Sequence, residues 1–160
     1  MTMLILTTGG TLDKIHDTYT EGLVFGENSH MEELLRIGRS FMPRIENLMR
    51  LDSLDMTDND REHILQAVLV APETQIVITH GTGTMEQTAK FLSGRIGDKT
   101  VILTGSMRPF SLGKSDAGFN IGGAVIAAQT MPSGVYGVMN GRIFEASELR
   151  KDVKAGRFDG

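Results

Sequence analysis

The sequence predicts an α/β fold: a mainly parallel open sheet with helices on both faces, built as one domain over residues 1–160 with no second domain. Three observations carry that prediction. Apolar runs of strand length alternate with segments of helical period along the chain. Strand-like runs end in loops of small and hydroxyl residues, "LTTGGT", "THGTGT" and "LTGS". The chain of 160 residues is ample for one core and too short for two ordinary domains.

The elements follow in order. "MTMLIL" (Met1–Leu6) reads as a short buried strand stopped by Gly9 and Gly10. "SHMEELLRIGRS" reads as a helix behind Ser29 as N-cap, with Met31, Leu34, Leu35 and Ile37 or Gly38 on one side. "IENLMRLDS" is a strand, alternating less cleanly. "TDNDREHILQAVLV" is a helix capped by Thr57 or Asp58, with Ile64, Ala67 and Val68 inward. "TQIVITHG" is a strand, "TMEQTAKFLSG" a helix closing at Gly94, and "KTVILTG" the next strand. "SDAGFNIGGAVIAAQT" is an apolar helix whose Gly118, Gly122 and Gly123 suit close packing against a sheet. "GVYGVMNGRIFE" is a strand turning back at Asn140–Gly141, a hairpin signal.

Composition narrows the function classes. A net charge of −4 with no long basic run argues against nucleic acid or an anionic membrane as the main partner. The absence of cysteine removes disulfides, thiolate zinc sites and a cysteine nucleophile. The N-terminus lacks a basic leader and no run reaches bilayer-spanning length, so a cytoplasmic globular protein is expected.

Most motif candidates fail on spacing. "GKS" at Gly113–Ser115 would need a glycine where Arg108 stands, so it is not a phosphate loop. "SLGK" has no accompanying motif, and Gly81–Gly83 lacks a third glycine at Glu86. His16, His30, His63 and His80 show no metal spacing, and "DND" (Asp58–Asp60) reads as a helix cap. No metal and no cofactor are expected. The three loops are different: in an open α/β sheet they gather beyond the carboxyl ends of the strands, where ligands bind.

The motifs "TTGGTLDK" (Thr7–Lys14), "ITHGTGTMEQTA" (Ile78–Ala89), "LTGSMRP" (Leu103–Pro109), "DAGFNIGGAV" (Asp116–Val125) and "VMNGRIFEASELRK" (Val138–Lys151) carry a resemblance. The sequence resembles the N-terminal domain of the bacterial-type L-asparaginase/glutaminase family, over nearly its whole length and in order. The resemblance implies a flavodoxin/Rossmann-like sheet and hydrolysis of a side-chain amide to a carboxylate and ammonia by a threonine nucleophile. It maps Thr11 as first-choice nucleophile, Thr82 as the second threonine, Lys151 as the catalytic lysine and Tyr19 as the tyrosine of a mobile flap. Ser53 matches a serine that holds the substrate carboxylate, and Ser106 lies where a carbonyl receives the substrate amide. The substrate-binding set is Gly10, Ser53, Leu54, Gly81, Gly83 and Ser106.

The chemistry is coherent on its own terms. A threonine hydroxyl is a weak nucleophile and needs a base at hydrogen-bond distance. A lysine serves where burial disfavours its ammonium form. Glycines at 9, 10, 81 and 83 could aim N–H groups at an oxyanion, each donor worth about 3–4 kcal/mol. Without the resemblance, Lys151 would read as one more solvated lysine in "ELRKDVK".

Two positions depart from the family pattern. Gly83 stands where aspartate is usual, and Leu54 where glutamine is common. The resemblance gives that aspartate the substrate's α-ammonium as partner, so an amide lacking a free ammonium is the expected preference. The alternative is a catalytically inactive small-molecule binding or assembly module. The short form predicts a homodimer or larger homo-oligomer packing near the strand ends.

Overall fold

The computed structural model describes residues 2–160; Met1, included in the first predicted strand, lies outside them. β1 (Met3–Gly9), β4 (Arg44–Leu51), β5 (Gln75–Thr79), β6 (Thr100–Thr104) and β7 (Gly134–Met139) run parallel, and β8 (Arg142–Glu145) returns antiparallel. The sheet order is β4-β1-β5-β6-β7-β8. Counting only the parallel strands, this is the doubly wound order 2-1-3-4-5, which reverses direction between β1 and β5.

Alternation along the strands explains why both faces are covered. Leu4, Leu6, Ile76, Ile78, Val101 and Leu103 point into one core, packed by α2 (Asp58–Val70) and α3 (Met85–Leu92). Met3, Ile5, Val77 and Ile102 point to the other, with α1 (Met31–Ile37) and α4 (Ala117–Thr130). Every residue of β1 is buried, whereas β4, at one edge, is only half-buried. Thr57 caps α2 through a reciprocal capping box with Asp60, so the acidic cluster there is a cap. The Asn140–Gly141 turn has φ of 56° and 75°, the two left-handed residues of a tight hairpin.

Smaller pairs complete the fold. β2 (Lys14–His16) and β3 (Leu23–Phe25) form a hairpin after β1, and β9 (Lys151–Asp152) pairs with β10 (Arg157–Phe158). Phe158 anchors the latter in the core at 1% exposure. Among the described residues, no helix is long and apolar enough to cross a membrane.

Three local expectations are corrected. Ile37 and Gly38 face solvent, because α1 ends at Ile37 and its inward stripe stops at Leu35. His30, not Ser29, occupies the cap position of α1; the Ser29 hydroxyl still accepts from Met31 N and itself donates to Asp13. Gly118 and Gly122 lie on the outer face of α4, where an added Cβ would meet nothing. Only Gly123 approaches the sheet, against Val138.

Candidate active site

The loops after β1 and β5 flank the point where strand order reverses, and the backbone holds them in contact. Thr8 Oγ1 donates to the Thr79 carbonyl at 2.6 Å, stapling the two strand ends. Gly10, at φ 78°, lies so close to the next loop that a Cβ there would fall 2.5 Å from Gly81 N. No other residue type fits that approach. The Gly10 N–H is taken by the Leu51 carbonyl at 3.0 Å. Thr11 then opens a short 3-10 turn, Thr11–Asp13, and is half-buried.

Thr82 sits in the β5 loop at 8% exposure. The Lys151 Nζ amine donates to Thr82 Oγ1 at 2.8 Å, across 69 residues of sequence. What carries the lysine there is the β9–β10 hairpin, fixed by buried Phe158 and by Phe158 N donating to Asn140 Oδ1 at 2.9 Å. Thr11 Oγ1 makes no hydrogen bond among the described residues.

A buried polar network holds the Thr82 loop from beneath. Ser53, 1% exposed, accepts from Thr84 N through its hydroxyl at 3.2 Å, and its carbonyl accepts from Thr84 Oγ1 at 2.7 Å. Arg61, 4% exposed, donates to Thr84 Oγ1, Thr88 Oγ1, Gln87 Oε1 and Asp58 Oδ1. His80 lies within 2.7 Å of both the Gly81 carbonyl, through Nδ1, and Thr88 Oγ1, through Nε2. A carbonyl can only accept, so Nδ1 carries the proton and Nε2 accepts from the Thr88 hydroxyl. Burial strips His80 of water and holds its pKa down at about 4, so the ring is neutral.

The other expected residues are placed as follows. Gly81 and Gly83 bracket Thr82, and a Cβ on Gly81 would strike Ser53 Oγ at 2.6 Å. Leu54 follows Ser53 in a 3-10 turn, 75% exposed, with its side chain over Gly83. Ser106 is buried after β6 and donates to the Arg108 carbonyl at 2.8 Å. Tyr19 stands in solvent at the tip of the β2–β3 hairpin, 96% exposed. Asp17 turns that tip outward by accepting from Tyr19 N, Thr20 N and Thr20 Oγ1. The structure therefore brings Thr82, Lys151, Ser53, Gly81 and Gly83 together and leaves Tyr19 apart.

Sequence reading overlooked Arg61, His80 and the ion pair of Lys14 with Asp52 at 2.6 Å, which ties the β2–β3 hairpin to the loop after β4. Arg61 left a signal: it shares the inward stripe of Ile64, Leu65 and Val68, a charge where helical period demands an apolar residue. Among the described residues, no group of three or more His, Cys, Asp or Glu could hold a metal. An apolar groove of about 570 Å³ lies elsewhere, along α4 beside Phe119, Ile126 and Ile143.

Comparison with known proteins follows the same geometry. The family model "Asparaginase, N-terminal" matches residues 2–160. L-asparaginase 2 of Escherichia coli is 34% identical over 160 residues, covering 92% of this chain and 45% of that protein. The glutaminase-asparaginase of Acinetobacter glutaminasificans is 28% identical over 168 residues, covering 94% of this chain and 50% of that protein. The solved thermostable L-asparaginase of Thermococcus kodakarensis superposes with TM-score 0.85 at 29% identity, over 99% of this chain and 51% of that one. The chain spans about half the length of these curated relatives.

Proposed function

Since the chain belongs to the asparaginase family, through its N-terminal domain, we propose that it hydrolyses a carboxamide to the acid and ammonia with a threonine nucleophile. One observation carries this reading: the Lys151 amine lies 2.8 Å from the Thr82 hydroxyl, at proton-transfer distance.

In this reading the threonine oxygen bonds to the amide carbonyl carbon while its proton passes to the Lys151 nitrogen. The tetrahedral oxyanion then collapses, the C–N bond breaks, and ammonia leaves with that proton. Water attacks the resulting ester, releasing the acid and restoring the threonine. The Gly81, Thr82 and Gly83 N–H groups, which donate to no other described residue, are the groups available to the oxyanion. Thr82 is the hydroxyl supplied with a base. Thr11 is the competing nucleophile, favoured by its unengaged hydroxyl on the touching loop.

Recognition of a free amino-acid head is expected to be weak, since Gly83 offers that head no carboxylate. The test is ammonia release from asparagine, glutamine and blocked amides, with Thr11→Ala and Thr82→Ala beside the parent. The nucleophile's variant loses the acyl-enzyme that mass spectrometry would otherwise locate. Release untouched by either substitution sinks the reading. We further propose that residues 1–160 act as one domain in a homodimer or larger assembly, which light scattering checks; a monomer that hydrolyses amides overturns it.

A further inference from the structure

We propose that Leu54 is the specificity-determining residue of this site, selecting carboxamides that present an uncharged, apolar group where an amino acid would carry its ammonium. The inference rests on the amidohydrolase reading above and names its substrate class.

The argument begins with shared volume. A Cβ placed on Gly83 would come 2.8 Å from Leu54 Cδ2 and 3.2 Å from its Cγ. The isobutyl group thus lies in the space that a side chain at 83 would use, and the two positions are read together. Leucine in this rotamer requires glycine beneath it. The backbone fixes the aim: Leu54 N donates to Asp52 Oδ1 at 3.0 Å, and Ser53, one residue before, is tied to Thr84. Leu54 is 75% exposed. A single exposed leucine means little alone. This one stands over the residue that follows Thr82.

Countercharge is the second strand of the argument. An ammonium brought against Leu54 would need a carboxylate partner to offset its lost hydration. Asp52 has one oxygen on Lys14 at 2.6 Å and the other on Leu54 N. Asp13 is 2% exposed and engaged by Ser29 Oγ and His30 N. Asp55, the next residue after Leu54, is exposed to water. Asp13, Asp52 and Asp55, the acids of the loops after β1 and β4 beside this corner, are thus committed or exposed, and what lies against Gly83 is the Leu54 isobutyl group and the Ser53 hydroxyl.

The experiment compares L-asparagine with N-acetyl-L-asparagine, whose acetyl methyl replaces the charge. Binding is read by calorimetry and turnover separately by ammonia release. The parent protein binds the acetylated amide at least about tenfold more tightly, Leu54→Gln erases most of that preference, and Gly83→Asp with Leu54→Gln reverses it. Equal or tighter binding of asparagine by the parent overturns the proposal. So does a preference that survives Leu54→Gln, or failure to bind either amide. A Leu54-dependent preference in binding without ammonia release upholds the recognition and overturns the hydrolysis, so the two failures are separable.

Discussion

The loop after β5 and the hairpin after β1 leave the same end of the sheet and are held in opposite ways. Residues 80–84 are gripped from four directions, by Ser53, Arg61, Thr88 and Lys151. Residues 17–22 hold only themselves: Asp17 N donates to the Gly22 carbonyl, and the Asp17 carboxylate gathers residues 19 and 20. Local stability follows such differences in buried contact. The difference teaches that this fold fixes the Thr82–Lys151 pair from several sides and leaves the segment bearing Tyr19 held by little but its own turn.

Breaking the rigid side should give the largest effect. Lys151→Met is expected to cut ammonia release by about a thousandfold, in keeping with loss of an acid–base group, with little change in melting temperature. Steady-state assay beside thermal melting checks both halves. Arg61→Ala removes the hub below the loop, empties its buried volume and takes one donor each from Thr84 and Thr88, which keep Ser53 and His80 as partners, and is expected to cost about 3 kcal/mol in urea unfolding.

A pH series sharpens the contrast further. The folded pKa of His80, about 4, lies below its ordinary value of 6.5. On acidification the unfolded chain therefore takes up the proton first. Stability is full above pH 6.5 and falls as pH drops toward 4, by on the order of 3 kcal/mol over the window. Desolvation pushes the Asp13 carboxyl upward, which acts in the opposite sense. The readout is thus the difference from His80→Gln, which should flatten the His80 part of the slope. The smallest effect belongs to the loose side. Tyr19→Ala should leave the melting temperature unchanged, and limited proteolysis should cut within 17–22 before it cuts 80–84. Cleavage in the reverse order would dissolve the comparison.

Much of the fold was legible because strands buried on both faces stand out as short apolar runs, as residues 3–6, whose Leu4 and Leu6 enter one core and Met3 and Ile5 the other. The loops were legible because glycine and threonine clusters punctuate the strand ends. The outward face of α4 was not: Gly118 and Gly122 read as packing residues, yet glycine spacing does not say which side of a helix it marks. The pairing of Lys151 with Thr82 was out of reach of local pattern, since 69 residues separate them, and only the resemblance suggested it. Arg61 and His80 were missed because a buried polar group is defined by its partners, and Thr84, Thr88 and Gly81 become neighbours only in the folded chain.

The pairing of Lys151 with Thr82 has a kinetic consequence. Thr82 belongs to the middle of the sheet, but Lys151 reaches it on a hairpin anchored by Phe158 and by Asn140, at the turn between β7 and β8. Separation alone does not set this contact apart, since Thr8 and Thr79 are 71 residues apart; the Lys151 contact depends in addition on the neighbouring β7–β8 turn and on the buried seat of Phe158. In a refolding time course helical circular dichroism should therefore recover first, and the proposed amide hydrolysis should reappear with the slowest phase, as a late reporter of the finished molecule.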